Sequence, residues 1–244
     1  MAINKLIILK NKEEAARRAA EIFVEAIQRK PNLVLGLPTG KTFVPIYREI
    51  VKLCGKKKIS FAGVKTFNLD EYFGLKFGDK RSFRYYMNRN FFSKAGMGEG
   101  KIFMLNGDVK DFRRECLDYE REIRKAGGID LLFLGIGLNG HIGFNEPGSS
   151  FASRTRRVKL TESTRKSNAV GVPGYALTMG IGTILGARKI VLVATGRNKS
   201  LVVRKIINGE ITTRVPASAL RRHKNTTVIL DKDAASGLKN NKKI

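Results

Sequence analysis

Apolar side chains recur along this chain with two alternating periods. Short apolar runs at 6–9, 33–35, 64–69, 130–134, 189–194 and 227–230 read as strands, those at 33–35, 64–69 and 130–134 as buried ones. Between them lie stretches of helical period. In the first, 13–28, Ala15, Ala19, Ile22, Phe23 and Ile27 fall on one stripe. Similar reasoning predicts helices over 42–53, 82–92, 109–125 and 198–207. Strand followed by helix, repeated without an internal repeat or a Pro/Gly/Ser linker, predicts an α/β fold. The expected form is a Rossmann-like three-layer sandwich in one domain over 1–244, with a mostly parallel central sheet and helices on both faces. Residues 148–173 fit neither period and are expected to form a mobile flap. The Lys- and Asn-rich end beyond Leu238 is expected to fray.

Composition narrows the class. With 244 residues and 42% hydrophobic side chains, the chain can build a real core. No apolar run reaches the length of a membrane span, and the first twelve residues lack a signal-peptide pattern. Cys54 and Cys116 are far apart, and with only two histidines no zinc site is expected. These features suit a cytoplasmic protein with reduced thiols. The formal charge of +26 is unevenly spread. Residues 1–150 carry 27 basic and 17 acidic side chains, and residues 151–244 carry 20 and 4. Such a surface attracts anions. The basic residues are scattered, however, and aromatic side chains are not interleaved with them. Specific nucleic-acid binding is therefore not expected.

Three loops carry candidate chemistry, each after a predicted strand, where open α/β sheets place ligands. Gly36-Leu37-Pro38-Thr39-Gly40-Lys41-Thr42 enters a helix. Backbone N–H groups at a helix start favour an anion, and Thr39, Lys41 and Thr42 add polar donors around Gly40. It is not a Walker loop, because Leu35 stands where that motif needs glycine. A plain turn with a helix-capping threonine explains the same residues equally well. In the second loop, Phe67-Asn68-Leu69-Asp70-Glu71-Tyr72, the paired acids either cap the next helix or place Asp70 in the crevice as a general base. The third, Gly135 to Pro147, reads GIGLNGHIGFNEP and holds His141, Glu146 and Asn139 among glycines. His141 is either a packed core histidine or, with a carboxylate and an orienting amide nearby, a group that moves protons near neutral pH.

Taken together, LGLPTG (35–40), VKTFNLDEYFGL (64–75), FLGIGLNGHIGFNEPGSSFASRTR (133–156), YALTMGIGTILGARKIVLVATGRNKS (175–200) and ALRRH (219–223) resemble the glucosamine-6-phosphate deaminase family. The likeness runs from about residue 33 to 238, and the NLDEY and NGHIGFNEP blocks are specific to that family. It implies conversion of glucosamine 6-phosphate and water to fructose 6-phosphate and ammonia, without a metal or organic cofactor. His141 would open the sugar ring, Glu146 and Asn139 would orient His141, and Asp70 would move the C2 proton to C1. The phosphate would sit on Thr39 to Thr42, with Lys199 of GRNK as a cationic partner. The implied partner is a small sugar phosphate. Self-association is left open, because the family includes monomers and hexamers.

The chain also departs from the family pattern. Asn139 stands where some members have Asp, so His141 is expected to be less basic than in those members. Lys41 stands where many have Gly or Ser, and Val170 follows Asn168-Ala169 where the flap usually carries a phosphate-binding Arg. Lys41 is expected to supply that missing charge. Val158 stands at a Lys position of the allosterically regulated members, so activation by N-acetylglucosamine 6-phosphate is not expected. Two rival readings remain: a 6-phosphogluconolactonase on the same fold, which needs no base at C2, and a non-catalytic sugar-phosphate sensor. No added helix-turn-helix domain is expected, because the first predicted strand begins by about residue 5.

Overall fold

The computed structural model describes residues 3–167 and 171–238. Its central sheet takes strands β1 (Lys5–Leu9), β2 (Val34–Leu37), β3 (Lys65–Asn68), β5 (Ile102–Phe103), β6 (Leu131–Leu134), β9 (Lys189–Ala194) and β10 (Thr226–Asp231). They lie in the order β1-β10-β9-β6-β2-β3-β5, and every neighbouring pair is parallel. Both faces of the central strands are covered, as the alternation along β6 requires, while the edge strand β1 leaves Leu6 and Ile8 exposed. Leu131 and Phe133 join the core beneath α1 (Lys12–Arg29) and α2 (Phe43–Lys57). Leu132 and Leu134 join the opposite core, beneath α5 (Phe112–Lys125), α7 (Ile181–Leu185) and α8 (Ser200–Asn208). This is the expected three-layer sandwich. Among the described residues, no helix is long and apolar enough to cross a membrane.

Local chemistry sets the element ends. Asn11 caps α1 by accepting from Glu14 N at 2.9 Å, with Glu13 and Glu14 favourably placed in the first turn. Asp111 caps α5 through Arg113 N and Arg114 N. Asp231, buried at the end of β10, caps α9 (Lys232–Ala235) through Ala234 N at 2.8 Å. Its two oxygens also accept from Gly196 N at 3.0 Å, which anchors the loop after β9.

A second, antiparallel sheet, which the hydrophobic pattern does not predict, adjoins the first. The run expected as one strand over 64–69 breaks at Leu69, and the chain passes from β3 into β4 (Asp70–Tyr72). β4 pairs with β8 (Tyr175–Thr178), which pairs with β7 (Arg156–Lys159). β7 lies inside the segment read as a flap. Its sequence RRVK hides a strand because the outward side chains are basic. The Arg157 guanidinium lies over Phe112 at 4.0 Å, Tyr175 at 5.0 Å and Phe73 at 5.4 Å, so a cation replaces the usual apolar outer residue. The same segment holds α6 (Glu162–Ser167). Asn168, Ala169 and Val170, the site of the missing arginine, lie outside the described residues, as does the end beyond Leu238.

The helix predicted over 82–92 is interrupted. α3 (Phe83–Met87) runs into a π turn at 88–92 and then α4 (Ser93–Ala95). α3 starts on two caps. Ser82 accepts from Tyr85 N, and the buried Glu71 carboxylate accepts from Phe83 N at 2.9 Å and Arg84 N at 3.0 Å. Glu71 also accepts from Tyr72 N at 2.8 Å, so its charge ties β4 to α3. Replacing it by Gln puts an amide N–H₂ against donors that need an acceptor. Glu71→Gln should destabilise the fold by about 1–3 kcal/mol. Urea unfolding would check this, and an unchanged midpoint would show that the cap is dispensable.

Candidate active site

The sheet order places the three candidate loops together. From β2 the chain moves outward to β3 and then β5, whereas from β6 it moves the other way to β9 and β10. β2 and β6 are neighbours, with Leu35 opposite Leu131. The topology therefore reverses between them, and loops leaving their carboxyl ends diverge to open a crevice. The loops after β2, β3, β6 and β9 carry residues 38–42, Asp70, 135–147 and Lys199, so all the sequence candidates occupy one rim.

Asp70 is the first residue of β4 and is buried, 7% exposed. It faces Thr178 across the antiparallel pair. Gly143, at φ 54°, brings its backbone over this pair: a Cβ there would stand 3.0 Å from Thr178 Oγ1 and 3.5 Å from Asp70 Oδ2. Only a bare Cα fits that approach comfortably. Burial raises the Asp70 carboxyl to about 8, with the Glu71 charge adding to the rise. The two readings of the acid pair are thus divided between its members. Glu71 caps a helix, and Asp70 sits in the crevice wall.

His141 lies in the loop after β6. Gly137 N donates to His141 O at 3.0 Å, and Gly140 and Gly143 take positive φ to close the turn. The imidazole packs flat on Gly137, where a Cβ would overlap ring atoms at 2.2 to 2.4 Å. Its Nδ1 is buried, has no hydrogen-bond partner among the described residues and stands 3.7 Å from Glu146 Oε1. Asn139 bridges the two groups. Its Nδ2 donates to Glu146 Oε2 at 2.7 Å, and its Oδ1 accepts from His141 N at 3.1 Å. Burial lowers the His141 pKa. The Glu146 charge works against that and the Lys199 charge with it, so the net direction is down and the ring is neutral near pH 7. Glu146 also accepts from Thr164 Oγ1 of α6, so the segment read as a flap reaches this carboxylate.

The loop after β2 is exposed at Gly40 and Lys41. Thr42 occupies the cap position of α2 but makes no capping bond, so the hydroxyl is not spent on the helix end. Phe43 N donates to Gly40 O at 2.9 Å. Among the described residues, the N–H groups of Thr39, Gly40, Lys41 and Thr42 have no protein acceptor, which leaves four donors in a row at the rim. Lys199 Nζ donates to Ile136 O at 2.7 Å, which holds its ammonium beside the His141 loop, and burial lowers its pKa. Among the described residues, no cluster of three or more His, Cys, Asp or Glu could hold a metal ion.

Sequence reasoning passed over several members of the rim. Thr178 accepts from Phe144 N at 3.1 Å and braces the wall opposite Asp70. Asn145 donates to Ile142 O and Met179 O and accepts from Arg156 Nη1 at 2.8 Å. Asn68 Nδ2 donates to Leu37 O at 3.1 Å, tying β3 to the start of the exposed loop. Their signal was available: Asn68 and Thr178 are polar residues at apolar strand ends, and Asn145 stands in a glycine-rich loop.

Comparison with known proteins fits this arrangement. The family model for glucosamine-6-phosphate isomerases/6-phosphogluconolactonase matches residues 10–229. A glucosamine-6-phosphate deaminase of Thermoanaerobacter sp. (strain X514) is 47% identical over 95% of this chain and 94% of its own length. One from Clostridium botulinum (strain Kyoto / Type A2) is 47% identical over 96% of this chain and 98% of its own length. The solved structure of a monomeric glucosamine-6-phosphate deaminase matches with a TM-score of 0.93 and 44% identity, covering 96% of this chain and 99% of that one. A 6-phosphogluconolactonase from Trypanosoma cruzi shares the fold, with a TM-score of 0.78 at 22% identity over 98% of each chain. The chain belongs to the family of glucosamine-6-phosphate isomerases and 6-phosphogluconolactonases.

Proposed function

We propose that this protein is a glucosamine-6-phosphate deaminase, converting glucosamine 6-phosphate and water to fructose 6-phosphate and ammonia. The observation that carries the reading is the buried Asp70 carboxylate, raised to about 8, on the same rim as a neutral His141. Ring opening needs a group that accepts the proton of the anomeric hydroxyl and returns one to the ring oxygen. A neutral imidazole does both. Asn139 fixes the loop and the Glu146 carboxylate around it, and Glu146 offers a counter-charge when the ring is protonated.

Isomerisation follows on the open-chain aldehyde. Asp70 removes the C2 proton, the electron pair forms the C1–C2 double bond, and the aldehyde oxygen takes a proton. The resulting enolamine is reprotonated at C1, which leaves an iminium at C2. Water adds to C2, the C–N bond breaks, ammonia departs and the C2 ketone of fructose 6-phosphate remains. A carboxyl raised to about 8 is a much better match for carbon-bound protons than an ordinary carboxylate. A lactonase has no use for such a base, so Asp70 favours the deaminase over the hydrolase on this fold. The phosphate is assigned to the N–H groups of Thr39, Gly40, Lys41 and Thr42, with the Lys41 and Lys199 ammonium groups as counter-charges.

Three outcomes test the reading. Wild type should release ammonia and fructose 6-phosphate in equal amounts from glucosamine 6-phosphate, and Asp70→Asn should lose about 10²–10⁴-fold in kcat. Near-normal turnover by that variant would remove Asp70 from the mechanism. A difference titration of wild type against Asp70→Asn should show the extra proton leaving near pH 8, so that turnover declines as pH falls below that value; release near pH 4 would contradict it. Lys41→Gly should raise KM about tenfold with little change in kcat, as loss of a uniform phosphate contact does. An unchanged KM would assign the phosphate charge elsewhere.

A further inference from the structure

The exposed loop after β2 is gripped from behind by three side chains, each on a backbone carbonyl. Asn68 Nδ2 of β3 donates to Leu37 O at 3.1 Å. The buried Tyr47 hydroxyl of α2 donates to Pro38 O. The Tyr86 hydroxyl of α3 donates to Gly40 O at 2.8 Å, across 46 residues of sequence. The peptide bonds here are trans. A trans peptide plane sends its N–H in the direction opposite to its carbonyl. Fixing Pro38 O inward therefore turns the N–H of Thr39 outward, and fixing Gly40 O does the same for Lys41. These are two of the four donors that have no protein acceptor.

Tyr86 differs from the other two grips in where its helix is anchored. The N-terminus of α3 is held by Glu71, which accepts from Phe83 N and Arg84 N. Glu71 is the chain neighbour of Asp70. One short helix thus runs from the residue beside the proposed base to the carbonyl behind the proposed phosphate cradle. Burial raises the Tyr86 phenol to about 12, against the opposing effect of its bond to Gly40, so the hydroxyl remains a donor throughout the working range.

We propose that Tyr86 is a positioning residue for the phosphate end of the substrate. Its hydroxyl holds the Gly40–Lys41 peptide with the N–H outward, and α3 sets how far that N–H stands from Asp70. The inference rests on the cradle assigned above to residues 39–42, and it makes the spacing between phosphate and reacting carbon a property of α3. Sugar phosphates of other chain length would then be discriminated by this helix rather than by contacts along the sugar.

Tyr86→Phe deletes only the hydroxyl, and Gly40 O keeps its bond from Phe43 N. Calorimetric titration with inorganic phosphate and steady-state kinetics with glucosamine 6-phosphate should be run on wild type, Tyr86→Phe and Tyr85→Phe. Tyr86→Phe should weaken phosphate binding and raise KM by the same factor, about five- to tenfold, with kcat within twofold of wild type. Tyr85→Phe, on the same helix, should change neither. Unchanged phosphate affinity in Tyr86→Phe overturns the inference, as does a fall in kcat with phosphate affinity intact, which is the mark of a merely structural role. If wild type binds phosphate more tightly than Tyr86→Phe yet releases no ammonia, the positioning role stands and the deaminase reading falls.

Discussion

The site depends on a change of direction at Leu69. Up to Asn68 the chain is a strand of a parallel sheet, and from Asp70 it is a strand of an antiparallel one. A parallel sheet alone would release the chain into solvent at this rim. Here the backbone is captured again at once, and the first captured residue is Asp70, buried opposite Thr178 beneath the Gly143 turn. The carboxylate therefore sits at the edge of the crevice but out of bulk water. Its raised proton affinity is the electrostatic result of that placement. Without the second sheet Asp70 would be an ordinary surface acid.

The same device organises the neighbouring loops. Phe144 N bonds Thr178 Oγ1 and Asn145 bonds Met179 O, so the β6 loop is fastened to the small sheet as well as to its own strand. Asp231 fastens the β9 loop through Gly196, and Tyr47 and Tyr86 fasten the β2 loop. Each loop at the rim is irregular, and each is braced by at least one buried polar contact from another element. Such bracing holds candidate groups to the narrow tolerances that proton transfer demands.

Much of this was legible in the amino-acid sequence. The parallel sheet follows from runs such as Leu131-Leu132-Phe133-Leu134, because a strand buried on both faces must be apolar throughout. His141, Glu146 and Asp70 were legible because titratable residues stood among glycines or directly after buried strands. The second sheet was not. β4 has only three residues, and β7 reads as a basic loop until the rings of Phe112, Tyr175 and Phe73 are seen beneath Arg157. Cation–π contacts leave no period in a sequence. The role of Tyr86 was equally hidden, since nothing local links it to Gly40. Of the two readings of the β2 loop, helix capping fails at Thr42, because Thr42 sits in helical backbone geometry rather than the extended form a capping side chain needs.

Burying Asp70 also sets how the folded protein responds to alkali. An unfolded chain ionises this group near 3.8, whereas the folded protein keeps its proton until about 8. Between those values the unfolded state binds fewer protons, so this residue's contribution to folding stability declines as pH rises and levels off above about 8. The charged form that the proposed proton abstraction calls for is thus the form in which the fold is weakest at this position. With Asp70 protonated near neutrality, the protein keeps this contribution to its stability and holds the carboxyl charged in only a fraction of its molecules.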